Sequence, residues 1–263
     1  MTSQPFSPSF SRRGLIGASS AVLGGLMLSG CDRLAQAPSL LNLVRGAEGL
    51  TRRSQHLILS GQPLAREFKA SDISPTFKAN GTLHPGGEDY KAMVADNFAS
   101  WSLSIGGLVS HPFRLSLAQL KALPARTQIT RHDCVEGWSA IAGWTGVPLG
   151  ALLQRAGLSP QAKYIVFHCA DDLLGSSDGS GLYYESIDLL DAFHPQTILA
   201  HTMNGAPLQV PHGAPVRLRV ERQLGYKQAK YVMAIEAVDR LDHIMGGRGG
   251  FWEDRGYEWY AGI

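Results

Sequence analysis

The sequence predicts an α+β domain built from mixed β-sheets with short helices between the strands. Three observations lead there: short stretches alternate apolar and polar residues as a strand does, the helical stretches between them are brief, and strands and helices do not alternate regularly as a βαβ array requires. At 263 residues, 44% hydrophobic and 17% charged, the chain can bury one substantial core. No internal repeat is present.

Trp101 to Ile105 alternates as a strand and Gly106-Gly107 breaks it; Phe113 to Leu115 reads as another. Ser116 caps a short helix whose Leu117, Leu120 and Leu123 share one face and which Pro124 ends. Thr127 to Arg131 is a strand that gives way to a Gly-punctuated segment carrying Cys134, and Trp144 to Leu149 reads as a turn. Pro148 opens a second helix with Leu149, Leu152 and Leu153 inward, and Gly157 closes it. Tyr164 to His168 is a strand leading to Cys169, followed by a Gly/Ser-rich loop, Gly175 to Gly181. Ser186 caps a helix from Ile187 to Phe193, stopped by Pro195. Thr197 to Met203 is a strand turned by Asn204-Gly205. Val216, Leu218 and Val220 alternate with Arg217, Arg219 and Glu221, which puts both arginines on the face opposite the apolar one. Lys230 to Val238 forms the last strand, with Tyr231, Met233 and Ile235 inside.

Four segments follow from this order. Residues 1–31 are a targeting segment, 32–97 a tether and extended arm, 98–240 the folded domain, and 241–263 a Gly/aromatic tail packed on it. Ser11-Arg12-Arg13-Gly14-Leu15-Ile16 has the form of a twin-arginine signal, followed by an apolar run from Leu15 to Leu28 that is short for a spanning helix. Leu28-Ser29-Gly30-Cys31 resembles a lipobox, which makes Cys31 the lipidation candidate. The competing site, Ala35-Gln36-Ala37, is followed by Pro38, which hinders cleavage. The arm carries Pro38, Pro63, Pro75 and Pro85, with a short strand at Gln55 to Leu59. In the tail, the glycine-hinged aromatic run from Gly246 to Tyr260 can cap a pocket, dock a partner or cover a sheet edge.

Composition excludes several classes. A formal net charge of +2 without a Lys/Arg run suggests neither a nucleic-acid groove nor a polybasic membrane patch. The cysteines, Cys31, Cys134 and Cys169, form no C-x-x-C, and the histidines no H-E-x-x-H, which argues against a zinc ribbon, covalent c-type haem and a zincin. Cys134 at a strand end, beside Arg131 and His132, is placed to act as a soft metal ligand. A buried thiol or a disulfide to Cys169 is the alternative. A cysteine hydrolase using His132 lacks an oriented third group.

The motifs in order are Cys134-Val135-Glu136-Gly137-Trp138-Ser139, Trp144-Thr145-Gly146-Val147-Pro148-Leu149, Phe193-His194-Pro195, Met203-Asn204-Gly205-Ala206-Pro207-Leu208, His212-Gly213-Ala214-Pro215-Val216-Arg217 and Gly225-Tyr226-Lys227. From Trp101 to Asp239 this series resembles the sulfite-oxidase-like molybdopterin oxidoreductase family, in its periplasmic methionine-sulfoxide reductase catalytic-subunit branch. The resemblance implies the sulfite-oxidase-type molybdopterin-binding fold and a molybdenum-molybdopterin cofactor. The metal is then held by the Cys134 thiolate, and oxygen-atom transfer is the chemistry. It further implies cofactor contacts at Arg217, Gly225, Tyr226 and Lys227, the last meeting a phosphate. Cys169 stands where the reductases carry Thr and is expected beside the cofactor. His212 stands where they carry Asn. Asp96-Asn97-Phe98-Ala99-Ser100 aligns with their early cofactor-binding stretch, although the Asn, Tyr and Glu expected there are Asp96, Ala99 and Ser100.

Sulfite oxidases place arginines soon after the metal-binding cysteine, where this chain has Glu136, Gly137 and Trp138, and their C-terminal sandwich domain has no counterpart after Asp239. The expected activity is therefore reduction of a small-molecule or protein S-oxide such as methionine sulfoxide. The alternatives are sulfite oxidation and a non-catalytic lipoprotein interaction module. No haem or flavin motif is present, so electrons come through a partner: a membrane b-type cytochrome first, a soluble cytochrome c second. The expected location is periplasmic, on the inner-membrane surface through a lipid at Cys31. Replacing Arg12 and Arg13 with Lys should trap the protein in the cytoplasm in cell fractionation; unchanged export would refute a twin-arginine signal.

Overall fold

The computed structural model describes Ser54, residues 63–176 and residues 178–263. The targeting segment, Cys31 and the expected strand at Gln55 to Leu59 lie outside these residues. In chain order the elements are α1 (Glu88–Ala95), β1 (Ser102–Gly107), β2 (Phe113–Ser116), α2 (Leu117–Lys121), β3 (Arg126–Asp133), β4 (Ser139–Pro148) and α3 (Leu149–Ala156). They continue with β5 (Tyr164–Asp172), β6 (Leu182–Asp188), α4 (Leu189–Ala192), β7 (Ile198–Met203), β8 (Ala206–Pro207), β9 (Arg217–Arg219) and β10 (Val232–Val238). One sheet runs β2-β1-β10-β5-β6, with β1 and β10 parallel and the other neighbours antiparallel. The other runs β3-β4-β7-β8, with β9 also pairing β7. Mixed sheets with few short helices are the α+β, sulfite-oxidase-type fold that the sequence predicts.

Local chemistry places several elements as expected. Ser116 Oγ accepts from the Gln119 N–H and Gln119 Oε1 accepts from the Ser116 N–H, a reciprocal capping box at the start of α2. Leu149, Leu152 and Leu153 form the buried face of α3, and Gly157 closes it in the left-handed region. Asn204 and Gly205 both have positive φ and turn β7 into β8. The main core gathers Leu103, Ile105, Leu153, Phe167, Leu218 and Ile235; a smaller cluster surrounds Trp144 and Ile198.

Other expectations fail for identifiable reasons. Trp144 to Leu149 is mostly strand: β4 runs antiparallel to both β3 and β7. Its inward positions include Ala140, Ala142 and Gly146, too small for apolar alternation to register. A Cβ at Gly146 would lie 2.2 Å from the Leu199 carbonyl oxygen, so the close approach of β7 requires glycine there. Ser186 and Ile187 belong to β6, and Asp188, accepting from the Asp191 N–H, caps the shorter α4. A register shift between Val232 and Ala234 buries Val232 and leaves Met233 half-exposed. Gln62–Ile263 is one compact unit, in which the second half of the expected arm is included and the tail packs on the domain as expected. Arg217 and Arg219 take the face opposite their aliphatic neighbours, as alternation predicts, and both are buried there.

Leu153→Ala should cost about 2–5 kcal/mol, the usual range for emptying a fully buried leucine site, read from the denaturant midpoint.

Candidate active site

Distant residues meet in one cavity. β3 leads out through Asp133 to Cys134, while Arg217 at the start of β9 pairs with Ala200 of β7, level with the first residue of β3; Cys134 and Arg217 both line the same cavity. In the other sheet β5 ends near Asp171 where its antiparallel partner β10 begins, just after Lys230. Cys134 opens a tight turn in which its N–H donates to the Trp138 carbonyl at 2.9 Å and the Gly137 N–H to its own carbonyl at 3.0 Å. Its side chain is a free thiol, 8% exposed, and Sγ accepts from Asn80 Nδ2 at 3.2 Å.

The Cys134 turn forms one wall of a cavity of about 210 Å³. Residues 77–82 form a second, and Asp171, Leu173 and Tyr183 a third. His132, His212, Arg217, Gly225, Tyr226, Gln228 and Lys230 complete the inner surface, with Trp252 and Tyr257 from the tail at the rim.

Charge inside the cavity is unbalanced. The Trp144 ring carries Arg219 at 4.3 Å and Arg217 at 5.0 Å. Arg219 is matched by Glu221, with Nε and Nη2 donating at 3.0 and 2.6 Å. Among the described residues Arg217 hydrogen-bonds only to carbonyls, of His212 at 3.0 Å and Gln228 at 3.4 Å, and its Nε has no partner there. Burial first, and the neighbouring Arg219 second, pull its pKa down to about 9. Lys230 likewise donates only to carbonyls, of Asn80 at 2.7 Å, Pro211 at 3.0 Å and Thr82. Burial, then Arg217, lowers it to about 7.

His132 is held neutral by burial and by the two guanidinia; Arg219 Nη1 lies 3.0 Å from Nδ1, which as the acceptor leaves the proton on Nε2. Nε2 abuts Gly225, where a Cβ would sit 2.5 Å away, so the turn can approach only as glycine. Two buried acceptors lack partners, Asp171 Oδ1 and Gln228 Oε1, and burial raises Asp171 to about 6. Two cations that hydrogen-bond to no carboxylate among the described residues, although Asp171 lies close enough to act on Lys230, and two unpaired acceptors suit a ligand that carries both a phosphate and N–H donors, as a molybdopterin does.

The sequence-predicted residues Cys134, His212, Arg217, Gly225 and Tyr226 all line this cavity. Cys169 does not: it is buried in the main core, two residues before Asp171, and free rather than disulfide-bonded. Lys227 does not either, because its ammonium is fully buried between Glu185 and Glu253. Asp96 accepts from the N–H groups of Ala99 and Ser100 in a turn outside the cavity, and residues 77–82 supply the early wall instead. Sequence reasoning missed Asn80, Asp171 and Lys230. The Asn80-Gly81 pair beside Phe77 was the available signal for the first, and a lysine three positions beyond Lys227 for the last.

The family model for the oxidoreductase molybdopterin binding domain matches residues 91–243. The putative protein-methionine-sulfoxide reductase subunit YedZ1 of Azospira oryzae is 36% identical over 244 residues, 92% of this chain and 85% of that protein. The protein-methionine-sulfoxide reductase catalytic subunit MsrP of Xanthomonas campestris pv. campestris is 36% identical over 160 residues. That match covers 57% of this chain and only about half, 49%, of the reductase. Among solved structures, the sulfane dehydrogenase SoxCD from Paracoccus pantotrophus has a TM-score of 0.47 and 23% identity over 54% of this chain and 39% of that one.

Because Lys230 is depressed in the fold, between about pH 7 and its ordinary value of 10.5 the unfolded chain binds the extra proton and this group's penalty is relieved as pH rises. Cofactor-free protein should therefore gain stability relative to Lys230→Met across that window in denaturant melts. Parallel pH curves for the two proteins would contradict the burial of an unpaired lysine.

Proposed function

The chain belongs to the oxidoreductase molybdopterin-binding domain family and is a molybdenum-molybdopterin enzyme, and from that premise we propose that it reduces S-oxides at a molybdenum held by Cys134. The observation that carries this reading is the thiol at the cavity wall, held by its turn and by the Asn80 N–H, facing a surface with uncompensated positive charge. When bound, the cofactor supplies a two-electron centre that exchanges an oxygen atom with substrate. Arg217 and Lys230 would hold its phosphate, and Asp171 and Gln228 would accept from its N–H groups. Gly225 and Tyr226 close against it, with neutral His132 fixing the turn from behind.

The rim decides between substrates. Phe77, Trp138, Trp252 and Tyr257 make it aromatic, and its exposed cation, Lys78, is paired with Glu136 at 3.0 Å and lies 5.6 Å from the Trp138 ring. A sulfite dianion finds no free charge among these rim groups, whereas an uncharged thioether S-oxide finds apolar surface and loses little solvation on entry. A polypeptide-borne methionine sulfoxide is the natural candidate, as the names of the relatives suggest. Reduction consumes two electrons and two protons and releases water, so the reading includes a protein electron donor, a membrane b-type cytochrome before a soluble cytochrome c. It also includes twin-arginine export and a lipid anchor at Cys31 on the periplasmic side of the inner membrane.

Protein from a molybdopterin-making host should carry one molybdenum per chain and oxidise a reduced dye with S-oxides faster than it oxidises sulfite. Cys134→Ala should remain folded by circular dichroism but lose the metal. Metal retained in that variant would refute Cys134 as the ligand.

A further inference from the structure

Lys227 ends the Gly225–Lys227 turn, whose first two residues line the cavity, yet its side chain points elsewhere. Its ammonium donates to Glu185 of β6 and, at 2.6 Å, to Glu253 of the tail, with all three side chains no more than 1% exposed. Both carboxylates keep a second oxygen, Oε2, without a partner. A lysine whose ammonium is buried between two carboxyl groups is turned away from a phosphate in the cavity.

Glu253 follows Trp252 directly and opens the short 3₁₀ turn that leads through Gly256 to Tyr257. Trp252 and Tyr257 stack at 5.4 Å, and Tyr257 meets Tyr226 edge-on at 5.2 Å. Tyr226 Oη donates to the Glu258 carbonyl at 2.7 Å. The outer wall of the cavity thus rests on a tail that is anchored here by buried Glu253 together with Phe251 and Asp254, which hold to Tyr184 of β6. We infer that Lys227 is a positioning residue and not a ligand of the cofactor: through Glu253 it holds Trp252 and Tyr257 in place, so the tail sets what the cavity admits.

Burial raises Glu185 well above the usual carboxylate range, ahead of the opposing pull of Lys227, so the ammonium and the two carboxyl groups depend on one another in a site without solvent. Such a cluster holds together only while water is excluded, which makes the tail either seated or released rather than gradually loose. A tail-lined wall of this kind acts on substrate binding and leaves the inner, phosphate-facing surface untouched.

The substrate part of this inference rests on the S-oxide reading; the rest is independent of it. In metal-free protein, Glu253→Ala should speed amide exchange across Phe251 to Glu258 by roughly tenfold or more, the scale of losing a charged hydrogen bond. Loaded with molybdenum, the same variant should keep its metal and raise the KM for an S-oxide by a similar factor, with kcat nearly unchanged. The triple variant Lys227→Met with Glu185→Gln and Glu253→Gln, which removes the charges together, should still load molybdenum to the wild-type level. A folded triple variant without metal, or unchanged exchange in Glu253→Ala, overturns the inference. Wild-type protein that turns over no S-oxide instead refutes the substrate reading, and exchange and metal content still decide the role of Lys227.

Discussion

One indole ring carries two buried guanidinium groups, and only one of them has a carboxylate. Trp144 in β4 holds Arg217 and Arg219 of β9 against it, and both strands pair with β7 between them. Burying an unpaired cation is costly, so the fold neutralises Arg219 with Glu221 and keeps His132 uncharged. Arg217 is left with carbonyls alone. The imbalance lies in the cavity that Cys134 also lines, which places an anion-seeking surface in the same site as that thiol.

The rim obeys the opposite rule. Its cation and carboxylate, Lys78 and Glu136, cancel one another in solvent, where such a pair contributes little stability. Its effect is to leave the mouth without net charge while the interior has an excess. That division separates the recognition of a phosphate-bearing cofactor from the admission of a substrate. It is the physical basis for preferring an uncharged oxide over a small dianion.

Features governed by short-range chemistry were legible in the sequence. The Ser116 capping box, the Gly157 stop, the Asn204-Gly205 turn and the emergence of Cys134 from a strand each depend on neighbours within a few residues. The resemblance carried Arg217, His212, Gly225 and Tyr226 to the cavity wall. What failed depends on partners far along the chain. Lys227 lies 42 residues from Glu185 and 26 from Glu253, and no local pattern announces that two carboxylates will meet it. β4 was hidden because alanine and glycine occupy its inward positions, and the early cavity wall because a proline-rich stretch reads as tether. Alternation alone puts Arg217 and Arg219 opposite the aliphatic face, and it cannot see that the Trp144 ring lies against both.

The tail has a second consequence, for the solubility of the chain. β6 is the last strand of its sheet, and an uncovered edge strand offers a template on which another chain can pair. Here the Phe251 N–H donates to the Tyr184 carbonyl at 3.0 Å, Ser186 Oγ donates to the Gly249 carbonyl, and Trp259 Nε1 donates to Ser186 Oγ at 2.8 Å. The segment that walls the cavity therefore also blunts the edge. A chain whose tail has come away would expose that edge, so that self-association and substrate access would change together.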